Sequence, residues 1–587
     1  LTAVRGLGDP LVSGSAVGEE WTIQATALTR SRPASDGRDV LDPGQACDVA
    51  QLARRVADRL GGLQDIEWAI DAADRLWLLQ ARPMTAVPEP VSWAPPGPGL
   101  WMRSFRLGEW LPEAVTPLFA TWLLPQIEDG YLDAMHACVG VRVPFRYALV
   151  NSWYYNATPM PSVRLLTRVL REGRGRAMRV LFNALIQVSR NPVAADRAVL
   201  ADLYRQWRER QLPRYEQLVV AGRAQVGVAS PGQLAELVDQ VAREAGAYLW
   251  YLAIVGGSAW KMEDRLTRFC RQHLSGPIEQ AGGSVQVLLR GLPGTAPEPA
   301  AHAVHSVDWY HPLAADLPTG TLTEDPAGDV RRRRLAEQRA AAEAACREAL
   351  TDRPPLLAYF DALLEVAQRY AAIREEQARD FTLGWPLLRS CADRLGQHLT
   401  TETVIAAADD VYFCTRAELD AHLHRGDRAS VAEDAARRRG LWQRQRRLTA
   451  PLTLGHPPRL VGDLIERTVQ RARGPQPVAE GAIVGHPASA GRATGPVRLV
   501  DGLEDFAAFS DGEILVAKAT APAWTPLFAR AVAVVTDGGT LAAHASLVAR
   551  EYGIPAVVGT ADATSRLHTG QIVTVDGTAG TVTPAAP

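Results

Sequence analysis

The chain has 587 residues, of which 47% are hydrophobic and 22% are charged. One hydrophobic core cannot serve a chain of this length, so we expect several domains. The 63 basic and 65 acidic residues nearly cancel, which argues against nucleic acid or an anionic membrane as a partner. The apolar runs are shorter than the ~20 residues needed to cross a bilayer. The first residues lack a secretory signal pattern, so we expect a cytoplasmic protein.

Residues 1 to about 90 alternate apolar and polar side chains in short runs. The alternation is clearest in residues 65–70 and 76–80, which flank a turn-like Asp71-Ala-Ala-Asp74. This pattern predicts a β-hairpin. A proline-rich segment follows at 87–98, and it is typical of a linker between domains.

Polar side chains are expected to converge on this hairpin. Residues two apart share one face of a strand, so Asp65 and Glu67 lie together on the first strand, and Gln80 and Arg82 on the second. A carboxylate and an amide oxygen suit Mg²⁺, and an arginine can hold a phosphate through paired hydrogen bonds. The alternative interpretation is the polar outer face of an ordinary hairpin.

The middle of the chain, residues 97–473, is predicted to form a mostly helical domain. Long stretches there are rich in Ala, Leu, Arg and Glu, for example 161–189, 232–255, 328–350 and 355–380. Proline, glycine and threonine accumulate at 291–328 between two helical blocks, which predicts a long connection or a small subdomain.

Residues 481–587 differ from the helical region in composition, because short runs rich in Val, Ala and Ile alternate with glycine-centred turns. They predict a compact α/β domain. A buried strand at 531–535 leads through a glycine-rich turn to a helix that begins near His544. Backbone N–H groups at a helix N-terminus favour an anion, and a neutral imidazole is a suitable nucleophile for phosphate. The alternative is a helix-capping or core histidine.

This C-terminal domain resembles a known family. Thr536-Asp-Gly-Gly539, His544 and residues 548–559 look like the signature of the swivelling phosphohistidine domain shared by phosphoenolpyruvate synthase, pyruvate phosphate dikinase and rifampin phosphotransferase. The resemblance implies that His544 carries a phosphoryl group. Thr540 stands where these families usually have a glycine, and Ala543 where they have a serine or cysteine.

The hairpin resembles the closing hairpin of the ATP-grasp nucleotide domain in the same families. The resemblance implies ATP and Mg²⁺ as cofactors, with Glu67 and Gln80 as metal ligands and Glu67, Gln80 and Arg82 as nucleotide contacts. A complete domain of this kind has further residues before Leu1. The chain is therefore a fragment, or the missing part is a separate polypeptide, or the protein no longer binds ATP by itself; the absent initiator methionine favours a fragment.

Parts of the helical domain, among them 108–112 and 407–419, resemble the substrate-binding domain of rifampin phosphotransferase. Residues 309–316 are similar to a Gly-His-Arg element of that family, with Pro312 in place of the arginine. The resemblance implies His311 as a candidate general base for an acceptor hydroxyl. The alternative is a structural histidine in a loop.

The resemblance thus implies a multidomain fold of α/β and α parts: the C-terminal part of an ATP-grasp domain (1–90), a helical acceptor domain and a swivelling phosphohistidine domain. This order matches rifampin phosphotransferase and does not favour pyruvate as the acceptor. The expected reaction moves the β-phosphate of ATP through His544 to a hydroxyl of a small molecule, an antibiotic or secondary metabolite, with release of AMP and phosphate. The alternatives are a dehydratase or tailoring enzyme that phosphorylates before elimination, and a non-catalytic phosphocarrier with a degenerate ATP site.

Overall fold

The computed structural model describes residues 1–6, 18–24, 27–32, 39–60, 64–83, 91–103, 106–157, 163–173, 175–292, 301–316, 328–425, 431–456, 482–520, 522–539 and 544–584. These residues form two compact units, Leu1–Ser92 and Trp93–Pro587. The predicted break at 474–477 lies outside the described residues. Within the described part of the chain, no helix combines the length and the apolar character that a membrane span requires.

The first unit contains a three-stranded sheet, a helix and a hairpin. The strand Glu19–Gln24 lies between Thr2–Ala3 and Ala27–Arg32, and both pairings are antiparallel. The helix Pro43–Leu60 turns one face inward. The core of the unit is small and consists of Ala3, Trp21, Leu41 and Ala46 with a few half-buried neighbours.

The predicted hairpin is confirmed, with strands Gln64–Ile70 and Leu76–Pro83. Its turn is closed by the carboxylate of Asp71, which accepts hydrogen bonds from the backbone and the guanidinium of Arg75 at 3.0 and 2.8 Å. The indole of Trp77 donates to the same carboxylate at 3.0 Å. These bonds, first among them the one from the Arg75 backbone, lower the pKa of Asp71 to about 2. Asp71 therefore fixes the turn as an ionised side chain.

The second unit begins with a mostly helical region, as predicted. The longer α-helices are Leu124–Val139, Val163–Glu172, Leu212–Gln225, Pro231–Ile254, Ala259–His273, Gly328–Ala349, Pro354–Phe381, Trp385–Thr401, Arg416–Arg425 and Val431–Arg446. Shorter α-helical segments are Arg176–Leu181, Val188–Arg190, Pro192–Ala195, Ala201–Gln206 and Ser275–Gln280. Four π-helical segments interrupt the helices, at Phe119–Leu123, Phe182–Gln187, Asp196–Leu200 and Trp207–Gln211.

A four-stranded sheet accompanies these helices and was not predicted. Its order is Arg146–Val150, Trp153–Ala157, Trp101–Met102 and Thr453–Leu454. The last two strands have two residues each, too few to show a period in sequence. The sheet joins the start of the helical region to its end.

The helix Pro231–Ile254 crosses Leu124–Val139 at very short range. A Cβ atom on Gly246 would lie 2.0 Å from the carbonyl oxygen of Ile127. A Cβ atom on Gly130 would lie 2.0 Å from the carbonyl oxygen of Arg243. The two backbones touch because neither position carries a side chain.

We expect Gly246→Ala to destabilise the second unit. The added methyl group would have to separate two backbones, and overpacking of this kind costs about 1–3 kcal/mol or more. Urea unfolding followed by helix content is the measurement. Gly232→Ala is the matched control, because a Cβ atom there would have nothing within 4 Å, and alanine stabilises a helix by roughly 0.5–1 kcal/mol over glycine. Equal midpoints for Gly246→Ala and the wild type would contradict the close crossing.

The C-terminal part of the second unit is the predicted α/β domain, built on an eight-stranded sheet. The strand order is Ile483–Val484, Thr581–Pro584, Ile572–Asp576, Arg492–Leu499, Ile514–Ala517, Ala533–Thr536, Ala556–Val558 and His486–Ser489. The four strands from Arg492–Leu499 to Ala556–Val558 run parallel. Its α-helices are Thr525–Arg530, His544–Tyr552 and Ala563–Arg566, and apolar clusters surround the sheet.

Candidate functional site

His544 follows the central strand Ala533–Thr536 of the eight-stranded sheet, as the sequence predicts. The chain leaves that strand through Gly539, which has φ of 106°, a conformation that suits glycine alone. The described part of the next helix begins at His544. Thr540 and Ala543, where the sequence departs from the family pattern, lie outside the described residues.

Both nitrogens of the His544 ring contact threonine hydroxyls. Nδ1 lies 3.0 Å from Thr520 Oγ1, and Nε2 lies 3.4 Å from Thr525 Oγ1. The ring of Phe528 meets the imidazole edge to face, at 5.8 Å between centroids. Because a hydroxyl can donate or accept, these partners suit either tautomer of a neutral ring.

The surroundings keep His544 uncharged. Burial, and secondarily the positive charge of Arg374, lower the pKa of His544 to about 3. At pH 7 the ring therefore carries a free lone pair, which a nucleophile needs.

A small cleft opens beside the His544 helix. The helical region and the α/β domain both contribute to its walls. Its lining residues are Arg103, Gly108, Glu109, Leu111, Pro112, Ala519, Thr520, Thr536, Gly538, Gly539 and Ala545. Gly538, Gly539 and Ala545, which flank His544 in the sequence, thus face residues of the predicted acceptor domain.

Charged groups in and beside this cleft are held firmly. Arg103 donates to the carbonyl oxygens of Ala450 and Pro112, each at 3.0 Å. Burial lowers the pKa of Arg103 to about 10, so its side chain remains a cation at pH 7. Glu109 accepts a hydrogen bond from Arg374 at 3.4 Å, and burial raises the pKa of Glu109.

His311 lies in a buried cluster next to this cleft and is not among the residues that line it. The cluster also contains Glu113 and His305, and the ligand atoms of the three side chains lie within 4.8 Å of one another. His305 Nε2 is 3.2 Å from Glu113 Oε1. Burial lowers the pKa of His311 to about 3. The role of His311 as a general base stays a prediction.

Glu113 and His305 are not among the residues that the sequence predicts for a site. Their residue types offer metal ligands, but the hydrogen bonds oppose a metal. Trp524 Nε1 donates to His305 Nδ1 at 2.7 Å, and an indole N–H can only donate. A neutral His305 must then carry its proton on Nε2, which faces Glu113. A metal at this position would need a lone pair on Nε2 instead. The cluster therefore fits a buried hydrogen-bond network, to which Trp524 of the α/β domain donates through its indole N–H.

We expect Trp524→Phe to loosen the contact between the α/β domain and the helical region. Phenylalanine retains much of the ring packing but leaves Nδ1 of the buried His305 without its donor, at a cost of about 1–3 kcal/mol. Hydrogen exchange of the backbone at 301–316 is the measurement, and it should become faster. Phe509→Leu, a buried aromatic position of the same apolar cluster, is the control for packing alone. Unchanged exchange in Trp524→Phe would contradict the coupling.

Because of His311, we also expect the free energy of unfolding to decrease as the pH is lowered. Its folded pKa of about 3 lies below the ordinary histidine value of about 6.5. Between these values the unfolded state binds more protons, so the free energy of unfolding decreases as the pH falls. His311→Asn should weaken this dependence in urea titrations at about pH 5 and about pH 7. An identical pH dependence in variant and wild type would contradict the prediction.

The first unit presents the other predicted site. Glu67 pairs with Gln80 across the hairpin, and Asp65 with Arg82. Arg82 Nη2 donates to Gln80 Oε1 at 3.0 Å and lies 3.7 Å from Glu67 Oε1. The predicted convergence is confirmed, and its exposed carboxylate and amide oxygens suit a hard cation such as Mg²⁺. The roles of Glu67, Gln80 and Arg82 in binding metal and nucleotide stay predictions.

Comparison with known proteins supports the family resemblance at both ends of the chain. Residues 509–580 match the family described as PEP-utilising enzyme, mobile domain. Residues 11–93 match the family described as pyruvate phosphate dikinase, AMP/ATP-binding domain. The predicted resemblance is confirmed, because segments near both ends of the chain match domains of the phosphoenolpyruvate-utilising enzymes.

Several relatives are phosphotransferases. An uncharacterized phosphotransferase, YvkC, of Bacillus subtilis is 39% identical over 191 residues, which make up 32% of this chain and 23% of that protein. Phosphoenolpyruvate synthase of Aeropyrum pernix is 50% identical over 107 residues, 18% of this chain and 13% of the synthase. Rifampicin phosphotransferase of a Streptomyces species is 26% identical over 665 aligned residues, 98% of this chain and 74% of that protein. The chain thus spans less than a quarter of the first two relatives and most of the third.

Proposed function

We propose that this protein is a phosphotransferase that carries the β-phosphate of ATP on His544 to a hydroxyl group of a small molecule. The β-phosphate of ATP goes to the small molecule, and the γ-phosphate goes to water. The products are AMP, inorganic phosphate and the phosphorylated small molecule. The observation that carries the proposal is the neutral His544 ring beside a cleft lined by residues of both the α/β domain and the helical region.

The chemistry of the histidine favours Nε2 as the attacking nitrogen. Thr520 holds Nδ1 at the shorter distance of 3.0 Å, whereas Thr525 lies 3.4 Å from Nε2. A phosphoryl group on Nε2 would replace the longer contact and leave the orienting one in place.

The nucleotide is assigned to the first unit. Glu67 and Gln80 would hold Mg²⁺, which neutralises phosphate charge, and Arg82 would bind a phosphate oxygen. The match of residues 11–93 to an AMP/ATP-binding domain supports this assignment.

We propose the acceptor class from the name of a relative that aligns along 98% of this chain, rifampicin phosphotransferase. That name makes a hydroxylated antibiotic or secondary metabolite the first class of acceptor to test. The helical region, with Arg103 and Glu109 in the cleft, would bind it.

The test uses the full chain, wild type and His544→Ala, with ATP labelled at the β-phosphate and rifampicin as the first probe. We expect the wild type to release AMP and to add one labelled phosphoryl group to the probe or to another hydroxylated metabolite, and His544→Ala to do neither. Labelled product from His544→Ala would refute the relay. A product that has lost water would favour the dehydratase, and label that stays on the protein would favour a phosphocarrier.

A further inference from the structure

Glu109, which lines the cleft beside the His544 helix, forms an ion pair with Arg374. Arg374 Nη2 lies 3.4 Å from Glu109 Oε2, and the two side chains are 12% and 24% exposed. Glu109 lines the cleft together with Thr520 and Ala545, the neighbours of His544. The pair belongs to the helical region, and residues that neighbour His544 lie on the other wall of the cleft.

The backbone around the pair leaves it little freedom. A Cβ atom on Gly108 would lie 1.7 Å from the carbonyl oxygen of Arg103, so the turn that carries Glu109 packs directly on another segment. The carbonyl oxygen of Trp110, one residue further, accepts a hydrogen bond from Val307 at 3.0 Å. Arg374 is anchored in the middle of the long helix Pro354–Phe381. Groups held in this way need not reorganise during a reaction.

A phosphoryl group on His544 would bring about two negative charges into this cleft. Arg374 is close enough for its charge to act on the His544 ring. A guanidinium can bind phosphate oxygens through two parallel hydrogen bonds. Arg103, a cation that also lines the cleft, would support it.

We propose that Glu109 and Arg374 are the catalytic pair of the acceptor side: Arg374 binds the phosphoryl group in transit, and Glu109 takes the proton of the attacking alcohol. The proposal rests on the proposed function and assigns its acceptor half. Glu109, which lines the cleft, takes the role of general base that the resemblance implied for His311. Burial raises the pKa of Glu109, the direction that makes a carboxylate a better base at neutral pH.

The step balances as follows. The alcohol oxygen forms a bond to phosphorus while the bond between phosphorus and His544 Nε2 breaks, and the bonding electron pair returns to Nε2. The alcohol proton passes to the Glu109 carboxylate and then to the released ring nitrogen. His544 ends as a neutral imidazole, Glu109 as a carboxylate, and the product as a phosphate monoester.

The test separates acceptor chemistry from ATP chemistry. His544 is phosphorylated with phosphoramidate in the full-length wild type and in Glu109→Gln, Arg374→Met, Arg374→Lys and Glu375→Gln. Methanol is then added as the alcohol, and methyl phosphate is followed by phosphorus NMR. Equal loading of His544 and equal thermal midpoints show that the variants are folded. Glu375 is the matched control, because it is buried next to Arg374 and does not line the cleft.

We expect Glu109→Gln to slow methyl phosphate formation by about 10²–10⁴-fold, as for loss of a general base. Arg374→Met should slow it by about 10²–10³-fold, and Arg374→Lys should recover part of the rate because it keeps the charge. Glu375→Gln should match the wild type. Equal rates in Glu109→Gln and wild type would overturn the proposal and leave the His544 relay intact, and loaded wild type that forms no methyl phosphate would overturn it too. If phosphoramidate-loaded wild type forms methyl phosphate but the protein releases no AMP from ATP, only the proposed reaction with ATP is refuted.

Discussion

Replacing His544 by alanine should abolish phosphorylation of the protein and transfer to any acceptor. The imidazole is neutral at pH 7, since the pKa of His544 is about 3, and both of its nitrogens are oriented by threonines. Loss of the nucleophile in a covalent mechanism typically costs about 10⁴-fold or more in rate. The measurement is acid-labile phosphate bound to the protein, after exposure to β-labelled ATP and, separately, to phosphoramidate.

His568→Ala is the control for this experiment. His568 belongs to the same α/β domain and is exposed, and its backbone N–H donates to Gln571 at 3.1 Å. This variant should be labelled like the wild type. If label disappears from His568→Ala and stays on His544→Ala, the phosphate is carried elsewhere and the relay is wrong.

The elements that the sequence predicted share a strong local signal. The hairpin has two alternating strands around a turn that one aspartate closes, and the helices Pro231–Ile254 and Pro354–Phe381 are long and amphipathic. Periodicity of this kind is visible within a short window. The pairing of Trp101–Met102 with Thr453–Leu454 has no such signal, because it joins segments that are remote in sequence.

The candidate site divides in the same way. His544 was found because a strand, a glycine turn and a helix lie next to it in the chain. Glu109 was not found, because its importance depends on Arg374, which reaches it from another helix. His305 was missed for the same reason, since its partners Glu113 and Trp524 are each about two hundred positions away.

One short segment connects the two halves of the site. Trp524 donates to His305 of the helical region, and the adjacent Thr525 contacts His544. Docking of the α/β domain therefore positions the His544 ring and provides the buried His305 with its hydrogen-bond donor at the same time. Arg550 adds a buried ion pair to Glu263 at 2.9 Å across the same contact. Movement of this domain between two sites would have to break both interactions.

Replacing Glu113 by alanine should have the largest effect on stability. The carboxylate is 2% exposed and is bonded by His305 Nε2 at 3.2 Å and by Arg446 Nη2 at 3.4 Å. Without the carboxylate, the buried His305 Nε2–H loses its acceptor and the half-buried Arg446 loses its ion-pair partner. An unsatisfied buried polar group costs about 1–3 kcal/mol, and the lost ion pair adds to this. Asp202→Ala is the control, since Asp202 and its partner Arg205 are 61% and 66% exposed and such pairs contribute about 1 kcal/mol or less. Urea unfolding of the full chain at neutral pH is the measurement, and equal losses in the two variants would contradict the prediction.

The pH dependence of the Glu113→Ala effect identifies its origin. Burial alone would raise the pKa of Glu113, but the hydrogen bond from His305, together with the charges of neighbouring groups among which is Arg446, outweighs burial and holds this pKa well below its usual range. A carboxyl group with a lowered folded-state pKa stabilises fully above the unfolded value of about 4.3, and the contribution is lost as the pH falls below it. The difference in unfolding free energy between wild type and Glu113→Ala should therefore stay constant above about pH 5 and shrink in more acidic solution. A difference that persists in acid would show that lost packing, and not the ionised carboxylate, causes the destabilisation.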